Sequence, residues 1–354
     1  MQLFCNPASY EITPTRQPRH GARYFIFVRL TTACGIVDVG EIYNATFGPD
    51  VCCAMARDMF ARHFEGADPS LIELLFRKVY GVGFTQRPDV SVMGTFSGLE
   101  MACWDILGKA ADKPVHALLG GRVHDRLRSY SYVYPASGDV YPDPDTPNVY
   151  NDASMAAEVA LGMVEQGFTA LQFAPAGPFT TFDDHQPRRE DIIRSVAFCR
   201  EIRAAVGDRA DLLFGTHGQF TVSGAKRLAR ALEPYEPLCC DERVPPDSLA
   251  DMAQVAAFTS IPVAAGERLC TKYEFARLIE TGAASILQMN LGRVGGLLEA
   301  KKIAGMTETR QVQIAPHLYC GPIVAAANIQ IAARSPNFLI LESIGTLMAP
   351  ICKA

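Results

Sequence analysis

The second half of the chain repeats one module, and this repeat limits the fold more than any other feature of the sequence. Each module is a short apolar run, an ionisable or amide residue at its end, and then a segment with helical spacing. In four modules the run ends at Glu267, Asn290, His317 and Glu342. Apolar runs of strand length that alternate with helical patterns are typical of parallel strands joined by helices. Their repetition at near-constant spacing predicts a (β/α) barrel.

The same alternation extends back to Ser129 and supplies a full set of strands. We predict strands near 129 and at 169–173, 211–214, 237–240, 262–265, 285–288, 311–315 and 338–341, with helices at 153–166, 190–205, 223–232, 247–258, 272–281, 296–306 and 322–333. The C-terminal ends of barrel strands share one mouth, so residues at these ends lie close together although they are distant in sequence. Carboxylates, an amide and an imidazole around one mouth predict a site for proton chemistry.

The residues before the repeat follow an α+β pattern. Residues 22–44 read as two strands joined at Cys34-Gly35, and helical spacing follows at 51–64, around 69–80 and at 95–114. We therefore predict an α+β capping domain over residues 1–125 and a modified TIM barrel over residues 126–354. A loop rich in Pro and Asp is expected over residues 136–151.

Composition and charge exclude several classes of function. The 354 residues include 33 Lys and Arg against 38 Asp and Glu, a net charge of −5, which argues against a nucleic-acid surface. The apolar runs are too short to span a membrane, and the first residues lack the parts of a signal peptide. Eleven cysteines without a CxxC pair fit reduced, mostly buried thiols. We expect a cytoplasmic protein that binds neither nucleic acid nor membrane.

The segment GLEMACWDILGKAADKPVHALLGG, at residues 98–121, resembles the signature that leads into the barrel in the mandelate racemase/muconate lactonizing enzyme branch of the enolase superfamily. The resemblance continues through PLCCDERVPPD, PVAAGERL, LQMNLGRVGG, APHLYCGP and FLILES, in the family's order. GTHGQ together with APHLYCGP is most similar to the acid-sugar dehydratases of that branch, the galactonate and mannonate dehydratases. The resemblance implies an α+β capping domain over a (β/α)7β barrel, a Mg²⁺ ion, a sugar-acid substrate and a homo-oligomer.

The reaction that this resemblance implies explains the residue types. Removing the proton alpha to a carboxylate gives an enediolate, whose second negative charge needs a nearby cation and hydrogen-bond donors. Mg²⁺ prefers hard oxygen ligands. By resemblance, Asp241 and Glu267 hold the ion. The structural alternatives are a salt bridge of Asp241, and an ion pair of Glu267 with Arg268 or Arg293.

The resemblance also assigns the proton-transfer residues. His317 matches the base, and Asn290 stands where an Asp normally orients that histidine, so the imidazole loses a charged partner. Glu342 matches the carboxylic acid that hydrogen-bonds the substrate carboxylate. His217 matches the general acid, and as an alternative it replaces a missing metal carboxylate. The structural alternative for His317 is a histidine that only caps a strand end. For Glu342 it is an ion pair at the rim of the barrel.

Several positions depart from the family pattern. Gly215 stands at the first metal carboxylate, Arg243 replaces a proline, and Gln172 stands where a lysine-containing motif usually ends the second strand. We expect Gln172, Asn290 and Arg268 to bind substrate, and loops 7–21 and 44–50 to set specificity. The chain stops at Ala354, which predicts a C-terminally shortened barrel. The expected function is acid-sugar dehydration; the alternatives are a non-catalytic homologue and a racemase or cycloisomerase.

Overall fold

Three antiparallel strands open the fold: β1 (Pro7–Arg16), β2 (Tyr24–Thr32) and β3 (Val37–Ile42), in that order across the sheet. The computed structural model describes residues 7–16, 24–44, 47–84, 88–135, 145–174 and 184–344. The predicted hairpin is confirmed: Gly35, with a φ of +89° that favours glycine, donates its N–H to the Thr32 carbonyl. The expectation of a loop over residues 7–21 is wrong for β1, which pairs with β2. Pro14 obscures this strand in the sequence, and an edge strand tolerates proline.

Among the N-terminal residues that are described, four α-helices follow: α1 (Pro49–Met59), α2 (Ile72–Gly81), α3 (Val90–Ala111) and α4 (Val115–Leu118). One π-helical turn, Phe60–Phe64, extends α1. Helix α3 begins at Val90, five residues before the predicted start, because the Asp89 carboxylate accepts the first free N–H groups of the helix. Gly40 on β3 and Gly98 on α3 lie so close that a Cβ on Gly40 would meet the Gly98 carbonyl.

Eight parallel strands then form the barrel. They are β4 (Ser129–Tyr132), β5 (Ala170–Phe173), β6 (Asp211–Gly215), β7 (Cys239–Asp241), β8 (Val263–Ala265), β9 (Ile286–Leu287), β10 (Gln313–Ile314) and β11 (Leu341–Glu342). Their order is β10-β9-β8-β7-β6-β5-β4-β11. A parallel bridge between Ile314 and Phe338 joins β10 to the residues before β11, and Leu339 N–H donates to the Ile314 carbonyl over 2.9 Å. These contacts close the cylinder.

In the described part of the chain, seven α-helices connect the strands and cover the barrel. They are α5 (Ala153–Glu165), α6 (Arg189–Val206), α7 (Val222–Leu232), α8 (Leu249–Ala256), α9 (Thr271–Glu280), α10 (Gly296–Glu308) and α11 (Pro322–Arg334). The expected (β/α)7β architecture with a separate α+β unit is therefore confirmed. The boundary after residue 125 falls between α4 and β4 and stays a prediction. Residues 136–144 of the predicted Pro/Asp-rich loop lie outside the described residues.

The barrel interior below the mouth is packed with side chains from every strand or its flank. This inner layer comprises Tyr130, Ala170, Leu213, Cys239, Ala264, Ile286, Ala315 and Ile340. A larger apolar layer separates the strands from the surrounding helices. With the interior filled, the strand C-termini offer the space for a site.

Two buried carboxylates of the N-terminal part cap helices of the barrel. Glu100 on α3 accepts the N–H groups of Leu297 and Leu298 at the start of α10, each over 2.9 Å. Glu41 on β3 accepts three N–H groups at the start of α11, the first from Gly321. Burial raises the pKa of both carboxyl groups to about 7. Helix N-termini favour negative charge, so these contacts join the two parts of the molecule.

The described cysteines agree with the expectation of reduced thiols. All nine are thiols outside disulfides, and eight of them are buried. Within the described parts of the chain, no helix combines the length and apolarity that crossing a bilayer requires.

Candidate active site

Two carboxylates meet at the barrel mouth, as the sequence predicted. Asp241 is the last residue of β7, and Glu267 follows β8 after Gly266, whose φ of +126° suits glycine. Both side chains are buried. His217 joins them: His217, Asp241 and Glu267 each offer one ligand atom, and these three atoms lie within 4.8 Å of one another. The structure therefore brings three residues predicted by the sequence into one cluster.

A network of hydrogen bonds holds the His217 loop against the end of β7. The Thr216 hydroxyl lies 2.6 Å from the Asp241 carbonyl oxygen and 2.9 Å from that of Glu242. Gly218 N–H donates to the same Glu242 carbonyl, and Arg268 Nη2 donates to the His217 carbonyl over 2.8 Å. His217 itself has a φ of +51°, a conformation uncommon outside glycine. The loop thus fixes the imidazole beside Asp241.

Gly215, the position without the family carboxylate, faces a filled space. A Cβ there would lie 3.1 Å from Gln172 Nε2, 3.2 Å from the Tyr132 hydroxyl and 3.3 Å from His217 Cε1. These three groups also contact each other: Gln172 Nε2 donates to Tyr132 over 2.6 Å, and the Tyr132 hydroxyl lies 3.2 Å from His217 Nε2. The sequence did not identify Tyr132, although its place at the end of β4 was a usable signal.

His317 and Asn290 contact each other, and their geometry decides where the imidazole carries its proton. The Asn290 side-chain oxygen accepts Gly292 N–H over 2.8 Å, so its amide nitrogen faces His317 Nδ1, also at 2.8 Å. This orientation makes Nδ1 the acceptor and places the proton of the neutral ring on Nε2. Nε2 lies 3.1 Å from Glu267 Oε2, which it can reach as a donor. Burial lowers the pKa of His317 to about 4.

Glu342 lies beside this pair. Its Oε2 accepts Leu318 N–H over 2.7 Å and lies 3.8 Å from His317 Nε2. Burial raises the pKa of Glu342 to about 8. This effect outweighs the hydrogen bond from Leu318 N–H, which lowers the pKa. Near neutral pH the group is therefore mostly a carboxylic acid, which can donate a hydrogen bond.

The remaining charges of the mouth are strongly coupled. Burial raises the pKa of Asp241 well above its usual range, and the nearby carboxyl groups, Glu267 first, raise it further. Among the described residues, no hydrogen-bond donor reaches Asp241 Oδ1. Burial opposes the ionisation of Glu267 too, but His317 and the other positive or polar neighbours outweigh it and lower its pKa to about 2. Burial lowers the pKa of His217, which favours its neutral ring.

Arg268 contacts protein groups in this structure. Its Nη1 lies 2.9 Å from Glu242 Oε2, and its Nε lies 3.6 Å from Glu267 Oε1. Together with the bond to the His217 carbonyl, these contacts make Arg268 a brace for the His217 loop. Substrate binding by Arg268, Gln172 and Asn290 stays a prediction.

Comparison with known proteins agrees with this geometry. The family model for the mandelate racemase/muconate lactonizing enzyme N-terminal domain matches residues 8–120, and the enolase C-terminal domain-like model matches residues 154–349. The D-galactonate dehydratase of Ralstonia nicotianae (strain ATCC BAA-1114 / GMI1000) is 36% identical over 325 residues, which are 90% of this chain and 78% of that protein. The D-galactonate dehydratase of Klebsiella pneumoniae (strain 342) is 32% identical over 321 residues, with the same two coverages.

Solved structures are also similar to the chain over most of its length. A mandelate racemase/muconate lactonizing enzyme family protein from Labrenzia alexandrii DFL-11 superposes with a TM-score of 0.90 at 67% identity, covering 96% of this chain and 85% of that one. A related protein from Roseovarius sp. TM1035 gives a TM-score of 0.91 at 54% identity, with the same coverages. The chain therefore belongs to the mandelate racemase/muconate lactonizing enzyme family of the enolase superfamily, as the resemblance in its sequence predicted.

Proposed function

We propose that the protein is an acid-sugar dehydratase, which removes the proton alpha to the substrate carboxylate and eliminates water. One observation carries the proposal: Asp241, Glu267, His317 and Glu342 converge on a single barrel mouth. The curated relatives that share 32% and 36% identity are named D-galactonate dehydratase, and the expected class of carbon–oxygen lyase agrees with them.

Asp241 and Glu267 would hold a divalent cation. The residues fit such an ion, because Asp241 Oδ1 is buried where no donor of the described chain reaches it, and several carboxyl groups surround it. A bound cation would supply the missing partner and offset the repulsion among these groups. When present, it stabilises the second negative charge that develops on the substrate carboxylate.

The chain's own residues would manage the protons. Glu342, protonated near neutral pH, donates a hydrogen bond to a carboxylate oxygen of the substrate. His317 accepts the alpha proton at Nε2, and the electron pair of the broken C–H bond moves into the carboxylate and forms the enediolate. The electrons of the enediolate then form the Cα=Cβ bond and break the bond to the β-hydroxyl, which takes one proton from the doubly protonated ring and leaves as water. The enol product tautomerises to a 2-keto acid.

Asn290 makes this base a weak one. His317 can accept a proton at Nε2 only after its ring proton has moved to Nδ1, where it would face the Asn290 N–H. Because Gly292 holds the amide oxygen, the amide cannot simply turn round. Two opposed N–H groups in a buried site cost roughly 1–3 kcal/mol, or about a 5- to 150-fold lower rate. We therefore propose a slow enzyme.

The contact between Asn290 and His317 also favours a second candidate function, a homologue that binds an acid sugar without converting it. The two functions differ in proton exchange at the substrate's alpha carbon. A dehydratase whose first step is reversible incorporates deuterium from D₂O, and a binder does not. Deuterium incorporation without loss of water would instead indicate racemisation or cycloisomerisation.

The deciding experiment incubates the purified protein with a panel of aldonates and a divalent cation, and measures 2-keto acid by carbonyl derivatisation. We expect product from at least one aldonate, and its loss in His317→Asn. The variant's melting temperature checks that it folds. Calorimetric binding of an aldonate with neither product nor deuterium exchange would overturn the dehydratase proposal and support the binder.

A further inference from the structure

We infer that His217 is a metal ligand and that the His217–Asp241–Glu267 site selects a divalent transition ion, such as Mn²⁺, Co²⁺ or Zn²⁺, over Mg²⁺. The inference rests on the proposed function, since it names the class of ion that the proposed dehydratase would use. It differs from the sequence prediction of Mg²⁺, and of the two roles that the resemblance left open for His217, general acid and replacement of the missing metal carboxylate, it takes the second.

The position of the imidazole supports this role. One ring nitrogen of His217 lies within 4.8 Å of a carboxylate oxygen of both Asp241 and Glu267. The neighbouring strand end is Gly215, which contributes no side-chain oxygen, and the space beside its Cα is taken by Gln172, Tyr132 and His217 itself. A third carboxylate cannot enter without moving these groups, so the imidazole is the third donor that this mouth provides.

The surroundings of His217 are those of a built ligand. Metal-binding histidines use one ring nitrogen for the ion and hold the other in a hydrogen bond that orients the ring. The Tyr132 hydroxyl lies 3.2 Å from Nε2, and Gln172 in turn donates to Tyr132. On the backbone side, Arg268 Nη2 donates to the His217 carbonyl, and Arg268 Nη1 lies 2.9 Å from Glu242 Oε2. A ring fixed from both sides keeps its nitrogen beside the two carboxylates.

Asp241 provides an independent observation that points to a cation. Its Oδ1 is buried where no donor of the described chain reaches it, and the side chain is only 3% exposed. A carboxylate oxygen of Glu267 lies within 4.8 Å of one of its oxygens, so a second acidic group shares this buried space. A buried oxygen in this setting requires a proton or a metal ion.

The donor types decide which ion fits. Mg²⁺ prefers an all-oxygen octahedral shell, whereas imidazole nitrogen suits Mn²⁺, Fe²⁺, Co²⁺ and Zn²⁺ increasingly well. Exchanging one carboxylate for a neutral imidazole also removes one negative charge. This loss lowers the affinity for the hard ion Mg²⁺ more than the affinity for a softer transition ion. We expect Co²⁺ or Zn²⁺ to bind roughly a hundredfold or more tightly than Mg²⁺.

Calorimetry on the metal-stripped protein measures the selectivity directly, with MgCl₂, MnCl₂, CoCl₂ and ZnCl₂ as titrants. In His217→Asn, Co²⁺ affinity is expected to fall by roughly 10- to 100-fold while Mg²⁺ affinity changes little. His63→Asn, on the half-buried turn after α1 and outside the site, is the matched control and should behave as the wild type. The double variant Gly215→Asp/His217→Asn restores a carboxylate and should bind Mg²⁺ better than the wild type.

Electron spin echo spectroscopy of the Mn²⁺-loaded protein supplies a readout independent of activity. Imidazole ligation gives a nitrogen coupling, which should be present in the wild type and in His317→Asn and absent in His217→Asn. Equal affinities for Mg²⁺ and Co²⁺, or an unchanged nitrogen coupling in His217→Asn, would overturn the inference. Neither result bears on dehydration, which 2-keto acid formation tests. Conversely, nitrogen ligation without product from any aldonate would leave the metal assignment standing and defeat only the dehydratase.

Discussion

At the scale of single residues, Asn290 has the largest expected effect on the chemistry. The sequence predicts only that an amide supplies no charge to His317. The structure adds that the amide donates, because Gly292 N–H already occupies its oxygen. An Asp at this position would accept from both Gly292 and His317 Nδ1, which would place the lone pair of His317 on Nε2. Replacing the amide nitrogen of Asn290 with an oxygen would therefore change His317 Nε2 from a hydrogen-bond donor into a base.

Asn290→Asp is expected to speed alpha-proton exchange in D₂O by about 10- to 100-fold, because it removes the opposed N–H groups that cost roughly 1–3 kcal/mol. The carboxylate would stabilise the protonated ring and reverse the tautomer. Proton NMR of the aldonate measures the exchange, and ¹⁵N NMR of the His317 ring reports which nitrogen carries the proton.

Asn290→Ala separates the two effects of that change, since it removes the amide without adding a charge. We expect its exchange rate to lie between those of the wild type and Asn290→Asp. A ring protonated on Nδ1 in the wild-type protein would contradict the account, whatever the rates.

At the scale of secondary-structure elements, the contact between α3 and α10 shows how the N-terminal part is held on the barrel. Glu100 accepts two N–H groups of α10 and the indole N–H of Trp104, the last over 2.7 Å. The side chain is 1% exposed, so water cannot replace it. The contact is therefore worth more than an exposed helix cap.

Glu100→Ala is expected to lower the free energy of unfolding by about 2–4 kcal/mol, because three buried donors lose their acceptor. Urea denaturation followed by circular dichroism measures the change. Glu280→Ala, at the exposed end of α9, is the control and should change stability by less than about 0.5 kcal/mol. A similar small change in Glu100→Ala would show that the cap does not stabilise the fold.

The spacing of apolar residues predicts strands and helices that bury one continuous face. The barrel consists of such strands and helices. All eight predicted strands and all seven helices between them are present, with ends that differ by a few residues. β1 was missed because Pro14 breaks its pattern. The start of α3 was misplaced because Asp89 caps it within a polar stretch.

The sequence predicts which residues form the candidate site, but it does not predict which of their atoms contact each other. The module pattern places Glu267 and His317 at strand ends, which meet at one mouth in a barrel, and the family resemblance added Asp241. The role of Tyr132 depends on Gly215 leaving space beside it, and the tautomer of His317 depends on a backbone N–H two residues beyond Asn290. Such features follow from three-dimensional contacts that no local pattern encodes.

At the scale of the whole molecule, the mouth concentrates carboxyl groups that folding makes harder to ionise. The pKa values of Glu242 and Glu342 are raised to about 8, chiefly by burial. The folded protein therefore holds protons that the unfolded chain releases near pH 4.5, so the contribution of these two groups to stability is complete below about pH 4.5 and is lost as the pH rises toward 8. The buried histidines act in the opposite direction only below about pH 6.5, where the unfolded chain protonates them.

Glu342→Gln isolates this effect, since glutamine keeps the shape of the neutral carboxylic acid and does not titrate. We expect the melting temperature of the variant, relative to the wild type, to rise by about 2–5 °C between pH 5 and pH 8.5 in metal-free buffer. Glu65→Gln, on an exposed residue, should show no such trend. Added Co²⁺ should reduce the pH dependence of the wild type, because a cation between Asp241 and Glu267 offsets the repulsion that ionised Glu342 feels. A melting-temperature difference that stays constant across this pH range would mean that Glu342 ionises as easily in the folded protein as in water.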